Sequence, residues 1–237
     1  MATQSFQIAI DGPVAAGKGT VSRLVADKLG FLYVDTGAMY RVTGLLADRA
    51  GVDIGNENAL VALVEKADIQ MRNPSEAEKD GRLTTVLVDG VDESWAIRTE
   101  KVSDLASKVA TYQKVRSVLV AKQQAIASTQ NVVMEGRDIT YRVLPDAQLK
   151  IYLTANEIVR AKRRQFQLQT RGMLAEFDEV YQELLERDQR DSQRATDPLT
   201  ILPDAWVIDS SDLSIDQVVD IIVGKAKLMY EGLQPTG

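Results

Sequence analysis

The chain has 237 residues, 45% of them apolar and 26% charged, which is ordinary globular usage with room for one sizeable α/β core and inserted pieces. It contains neither cysteine nor histidine, so disulfides, thiol nucleophiles, zinc-ribbon ligands and imidazole acid/base chemistry are excluded together. A net charge of −6 opposes nonspecific binding to nucleic acid or to an anionic membrane, although local arginine clusters can still take a small polyphosphate.

The start, Met1-Ala2-Thr3-Gln4-Ser5, carries no basic leader, and no apolar run approaches the ~20 residues of a membrane span, so a cytoplasmic protein without a membrane partner is expected. Phe6 to Ile10 reads as a fully buried strand. It runs into a glycine-framed loop, Gly12-Pro13-Val14-Ala15-Ala16-Gly17-Lys18-Gly19-Thr20, and then a helix over Thr20–Leu29. Gly12 and Gly17 permit a turn tight enough for successive N–H groups to face one anion, the helix adds its positive end, and Lys18 can reach the terminal phosphates of a nucleotide. The pattern is Gly-x4-Gly-Lys-[Ser/Thr] with Gly19 in the hydroxyl position and Thr20 one residue late.

Gly30 stops the helix, and Phe31 to Val34 is a second short buried strand, which implies a right-handed crossover in a parallel sheet. Asp35-Thr36-Gly37-Ala38-Met39-Tyr40-Arg41 then opens a helix reaching about Ala50. Its position, at the carboxyl end of a parallel strand, is where such sheets bind ligands. From about Asp53 to Arg98 the character changes: a helix over Asn58–Lys66, strands over Asp68–Arg72 and Arg82–Val88, and a hairpin at Asp89-Gly90. Helices follow over Lys101–Ala110 and Gln113–Ala127, a strand over Asn131–Met134 ending in Glu135-Gly136-Arg137-Asp138, and a strand over Gln148–Leu153. The remainder is a basic helix with Arg160, Lys162, Arg163 and Arg164, followed by Arg171-Gly172, a charged helix over Glu176–Arg190, a strand over Ala205–Ile208 and a closing helix over Ser214–Tyr230.

Several side chains can carry chemistry. Glu135, at a strand end beside the phosphate loop, can hold Mg²⁺ or its waters. Arg160 and Arg164 are one helical turn apart, while Arg187, Asp191 and Arg194 share one helix face. Planar guanidinium forks suit phosphoryl transfer, which asks chiefly for positioning and for cations around the phosphate oxygens. Glu183 with Arg187 and Glu186 with Arg190 are also spaced as surface pairs. Arg41 can hold a second phosphate opposite Lys18, and two phosphate grips point to two nucleotides. Ser107, Arg116 and Asp138 can read a base or a sugar.

Taken together, the loop through Thr20, Asp35 to Arg41, Ile97-Arg98, Ala106-Ser107, Val115-Arg116, Gly136-Arg137-Asp138-Ile139, Arg160 to Arg164 and Arg187 to Arg194 resemble the bacterial cytidylate kinase family of nucleoside monophosphate kinases over almost the whole chain. The resemblance implies an α/β, P-loop NTPase-type three-layer fold with a five-stranded parallel core sheet, an inserted monophosphate-binding region and a short lid. It divides the chain into core at 1–35, 106–155 and 195–237, monophosphate-binding region at 36–105, and lid with flanking helices at 156–194. It implies ATP on the loop, with Arg160 near the adenine and Arg164 near the phosphates, Mg²⁺ as cofactor, and CMP or dCMP as acceptor. Arg41 and Arg137 would hold the acceptor phosphate, Thr36, Arg116, Asp138 and Arg194 would surround the pyrimidine, and Ser107, Arg187 and Asp191 would face the sugar. Lys18, Arg137, Arg164 and Arg187 are the expected catalytic set. A monomer with no nucleic-acid partner is expected.

Three departures stand out: Glu135 in place of the family's usual Asp, Gln113 in place of a Pro, and Thr140-Tyr141-Arg142 in place of Gly-Thr-Val. The last is expected to put bulk and charge beside the acceptor site, leaving CMP versus UMP open. The residues alone also leave open a kinase for another acceptor, or a nucleotide-binding regulatory module that hydrolyses ATP slowly. Acceptor-dependent turnover separates these.

Overall fold

The first strand, β1 (Gln7–Asp11), has Ile8, Ala9 and Ile10 fully buried, which requires cover on both faces of its sheet. The computed structural model supplies that cover and describes residues 5–170 and 172–232. The leaderless start read from Met1–Gln4 and the basic residue Arg171 lie outside the described residues. β1 is central in a five-stranded sheet with β2 (Leu32–Asp35), β6 (Val132–Gly136), β7 (Leu149–Thr154) and β8 (Trp206–Asp209), in the order β2-β6-β1-β7-β8. Every pairing is parallel.

Alternating side chains divide between two layers. Ala9, Val34, Val132 and Met134 pack on one face, in a cluster with residues of α2 (Thr36–Ala50), α4 (Glu100–Val109) and α5 (Gln113–Thr129). Ile8, Ile10, Tyr33, Val133 and Ile151 pack on the other, with residues of α1 (Lys18–Leu29) and α8 (Ile215–Glu231). Helix α3 (Glu57–Lys66) joins the first layer through Leu60 and Val64. Helices α6 (Glu157–Gln169) and α7 (Phe177–Gln193) pack on each other beside the carboxyl end of β7. Among the described residues no helix is long and apolar enough to cross a membrane.

The inserted segment forms a small antiparallel sheet of β3 (Ile69–Arg72), β4 (Thr85–Val88) and β5 (Val91–Asp92). Asp89 and Gly90 turn the hairpin with φ 51 and 81, the pair of positive values a two-residue turn of this hand needs. β4 starts at Thr85 rather than Arg82, because Arg82 is drawn off to Asp80 and Asp92 at 2.7 and 2.5 Å. Asn73 fastens the insert to the core by acting as a strand neighbour of β2. Its Oδ1 accepts from the Tyr33 N–H at 3.0 Å and its Nδ2 donates to the Phe31 carbonyl at 2.8 Å.

One buried carboxylate sets the geometry below the site. Asp11, at the end of β1, accepts from the Ile139 and Thr140 N–H groups at 2.9 and 2.8 Å and from the Thr140 hydroxyl at 2.7 Å. These bonds hold a wide turn, Ile139–Val143, directly after Arg137 and Asp138. Burial pushes the Asp11 carboxyl up, with the Thr140 and Ile139 hydrogen bonds opposing.

Candidate active site

The phosphate loop rests on two glycines. A Cβ on Gly12, which has φ 154, would lie 2.0 Å from the Leu153 carbonyl oxygen, so only glycine lets the chain leave β1 against β7. Gly17, at φ 89, hands the loop to α1 two residues earlier than the sequence predicts, and the first turn of that helix has no acidic residue. Its positive end therefore faces the loop unopposed. Lys18 folds back so that Nζ donates to the Pro13 carbonyl at 2.8 Å. Burial, and then the neighbouring Arg137, bring its ammonium down to about 7 against the pull of Glu135, Asp11 and Asp191.

Around this loop the carboxyl ends of the strands and the helices α4, α6 and α7 enclose a cleft of about 1240 Å³. All the residues expected at the site line it except Gly12, Pro13 and Arg160. Arg160 lies beneath the loop, 4% exposed, donating to the Ala155 carbonyl at 2.9 Å, the Val14 carbonyl at 3.1 Å and Asp188 at 2.6 Å. In this conformation it braces the loop. Arg164 lines the cleft itself and donates to Gln167 at 2.8 Å.

Register brings Asp35 of β2 opposite Glu135 of β6 at the floor of the cleft. Arg41 and Arg98 both donate to Asp35 Oδ2, at 2.6 and 3.1 Å. Burial opposes the charge, yet the two guanidinium groups hold the Asp35 carboxyl below its ordinary range. Arg41 keeps a buried Nε with no hydrogen-bond partner among the described residues. Asp35 and Arg98 appear in the sequence motifs without a role. Their pairing across 63 residues supplies one, and no local spacing announces it.

Arg187, Asp191 and Arg194 all line the cleft as expected, but the carboxylate takes its hydrogen bond from a third arginine. Asp191 accepts from Arg137 Nε at 2.6 Å, and Arg194 turns to Asp197 and Asp138. Arg187 has no carboxylate within 4.0 Å among the described residues, so the Glu183–Arg187 surface pair is not made. Burial, then Arg137, with Arg164 and Arg41 adding, push Arg187 down to about 10, although Asp191 opposes. It remains a cation at neutral pH, set among cations. Among the described residues Glu186 and Arg190 make no ion pair either; Arg190 donates to the Glu186 carbonyl at 3.5 Å.

At the far end, buried Arg116 donates through Nη2 to Asp138, through Nε to Asp197 at 2.9 Å and through Nη1 to the Ala110 carbonyl at 3.2 Å. Its guanidinium carbon lies 5.6 Å over the Tyr40 ring. Burial raises the Asp138 carboxyl despite Arg116 and Arg194. Thr36 donates to the Glu135 carbonyl at 2.8 Å, and Ser107 sits on the cleft wall, donating to the Ser103 carbonyl at 3.2 Å. Tyr141 and Arg142 do not bring the expected bulk into the cleft. The Tyr141 hydroxyl donates to the Pro198 carbonyl at 2.6 Å, and Arg142 lies 3.7 Å from Asp197, both behind the pocket.

Glu135 offers a hard oxygen ligand at the loop. Its carboxyl is raised by burial and then by Asp35, and among the described residues the carboxylate accepts one hydrogen bond, a long one from the Tyr33 hydroxyl at 3.4 Å. Among the described residues no three acidic side chains converge. That donor set fits an ion such as Mg²⁺, which keeps its waters and takes phosphate oxygens in preference to an all-protein cage.

A family model described as cytidylate kinase matches residues 8–228. A cytidylate kinase of Shouchella clausii is 41% identical over 224 residues, covering 94% of this chain and 97% of that protein. One of Pelotomaculum thermopropionicum is 45% identical over 218 residues, covering 92% and 94%. Among solved structures, an uncharacterized protein from Eubacterium ventriosum shares the fold at a TM-score of 0.51, with 10% identity and 94% of this chain and 99% of that one covered.

Proposed function

The chain belongs to the cytidylate kinase family, and on that premise we propose that it transfers the γ-phosphoryl group of ATP to CMP, and to dCMP, giving ADP and the diphosphate. The observation that carries the reading is Arg187, a cation on the cleft without an ion-pair partner among the described residues and surrounded by Arg137, Arg164 and Arg41. A dense anion relieves the repulsion within such a cluster. A phosphoryl group passing between two phosphates is that anion.

ATP lies with its phosphates on the loop Gly12 to Thr20, and Lys18 draws charge off the terminal ones. Arg41, poised by Asp35, and Arg137, poised by Asp191, receive the acceptor phosphate. Arg187 and Arg164 bridge the gap between the two. An acceptor oxygen attacks the γ-phosphorus in line while the bond to the β-phosphate oxygen breaks. No base and no phosphoenzyme are needed, in keeping with a chain that lacks His and Cys. Mg²⁺, held by Glu135 through water, would neutralise phosphate charge when bound.

At the base, Asp138 accepts from the cytosine amino group. Uracil presents a carbonyl there, so two acceptors would face each other. Asp191 already has Arg137 as partner, so an acceptor lacking the 2′-hydroxyl leaves no buried carboxylate unpaired; this supports dCMP as a second acceptor. Closure of the region 156–194 over the donor would exclude water, with 36–105 receiving the monophosphate and 1–35, 106–155 and 195–237 forming the core. The net charge of −6 supports a protein that acts on small nucleotides without a nucleic-acid partner. Phosphorus NMR of a mixture with ATP, Mg²⁺ and CMP tests the reading: CDP and ADP should appear in equal amounts, and ADP with free phosphate would contradict it.

A further inference from the structure

Asp138 can accept from an amino group only if one of its oxygens stays open, yet two guanidinium groups stand beside it. Its Oδ2 takes the hydrogen bond from Arg116, while Oδ1 has Arg194 only at 3.7 Å. Both arginines are anchored by the same residue, Asp197. Its Oδ2 accepts from Arg116 Nε at 2.9 Å, and its main-chain carbonyl accepts from Arg194 Nε at 2.6 Å and from Arg194 Nη2. One residue thus fixes the two flanking cations, the first through its side chain and the second through its backbone.

Asp197 does this at φ 47, a left-handed conformation that L residues other than Asn and Asp seldom adopt and that persists where surrounding contacts over-determine it. The contacts are present. The Tyr141 hydroxyl donates to the Pro198 carbonyl at 2.6 Å, Arg142 stands 3.7 Å from Asp197 Oδ1, and the Leu199 N–H donates to the Asp191 carbonyl at 2.8 Å. Tyr141 and Arg142 come from the turn that follows Asp138 itself, so that turn and the segment 197–199 are tied together behind the pocket.

Resting on the cytidine-nucleotide reading above, we propose that Asp197, braced by Tyr141 and Arg142, is a positioning residue for acceptor-base selectivity, holding Arg116 and Arg194 apart around Asp138. With the carboxylate of Asp197 gone, Arg116 is free to turn a second donor to Asp138 and close the oxygen that the amino group needs. The loss falls on acceptor binding and base choice, and the phosphate machinery at Lys18 and Arg187 is untouched.

Steady-state kinetics of the full chain with CMP and UMP test this. Asp197→Gly removes the carboxylate and suits the left-handed backbone. It should raise KM for CMP roughly tenfold and narrow the CMP over UMP ratio of kcat/KM by a similar factor, the scale of one charge-assisted hydrogen bond. Its kcat and its KM for ATP should stay within about twofold of the parent, and Asp197→Asn, which restores an acceptor, should recover most of the loss. In an Arg116→Lys background Asp197→Gly should add less than about twofold, because the two act as one unit. Tyr141→Phe should raise KM for CMP by about two- to threefold, and it carries the test if Asp197→Gly does not fold. An unmoved KM for CMP in both variants, equal damage to kcat and to both KM values, or full additivity with Arg116→Lys would overturn the proposal. A parent chain without CMP-stimulated turnover would instead overturn the functional reading on which it rests.

Discussion

Lys18 Nζ donates to the carbonyl oxygen of Pro13, 2.8 Å away and five residues back along the same loop. Folded back and buried, its ammonium has come down to about 7. A bound triphosphate restores the full charge, so ATP binding near pH 8 should take up close to one proton. Titration calorimetry in two buffers of different ionisation enthalpy reads this directly: the apparent enthalpies should differ in the parent chain and agree in Lys18→Met. Equal enthalpies in the parent would contradict it.

The same lysine gives the nucleotide-free protein a pH slope. Folded Lys18 releases its proton near 7 and an unfolded lysine near 10.5, so between these values the unfolded state binds more protons and stability rises with pH. Below 7 both states are protonated and the penalty for burying the charge is fully in force. Urea unfolding at pH 7 and pH 9 should show a gain in the parent chain that Lys18→Met lacks; identical slopes would remove Lys18 as the cause.

On the proposed reaction, Arg187 should oppose stability and serve turnover. Replacing it by Gln removes a cation that Arg137, Arg164 and Arg41 repel, so the melting temperature without nucleotide should rise. Turnover should fall by roughly a hundredfold, the scale of one lost transition-state donor. A variant that loses stability while keeping normal kcat would show that Arg187 is a structural residue.

Gly12→Ala tests the loop geometry. The new Cβ would sit 2.0 Å from the backbone oxygen of Leu153, which cannot swing away as a flexible side chain could. We expect destabilisation of at least about 1–3 kcal/mol, together with loss of ATP binding. Parent-like binding and unfolding curves would mean that the loop leaves β1 by another path.

What could be read from the chain was what lies close together along it. Gly12, Gly17 and Lys18 fall within seven residues, and the strand before them and the helix after them follow from runs of apolar residues. The Asp89-Gly90 hairpin is legible for the same reason. The partners that aim the site residues are not. Asp11 meets the turn after Asp138 across 128 residues, Asp35 meets Arg98 across 63, and Asp197 meets Arg116 across 81. No periodicity encodes such pairs. Tyr141 and Arg142 mislead in the same way, since residue type gives bulk and charge while direction depends on the Pro198 carbonyl and Asp197, which only the fold brings near. Arg187 illustrates the converse: its spacing from Glu183 offers a partner, yet its guanidinium lies among other cations at the cleft.

If the cation cluster serves transfer between two nucleotides, ADP formation depends on the acceptor. Initial rates of ADP formation from Mg-ATP with CMP, dCMP, UMP, AMP or no acceptor test it in one experiment. Fast turnover with CMP and dCMP, little with UMP and AMP, and a negligible rate without acceptor is the predicted result. ADP formation at the same rate whether or not an acceptor is present would contradict it.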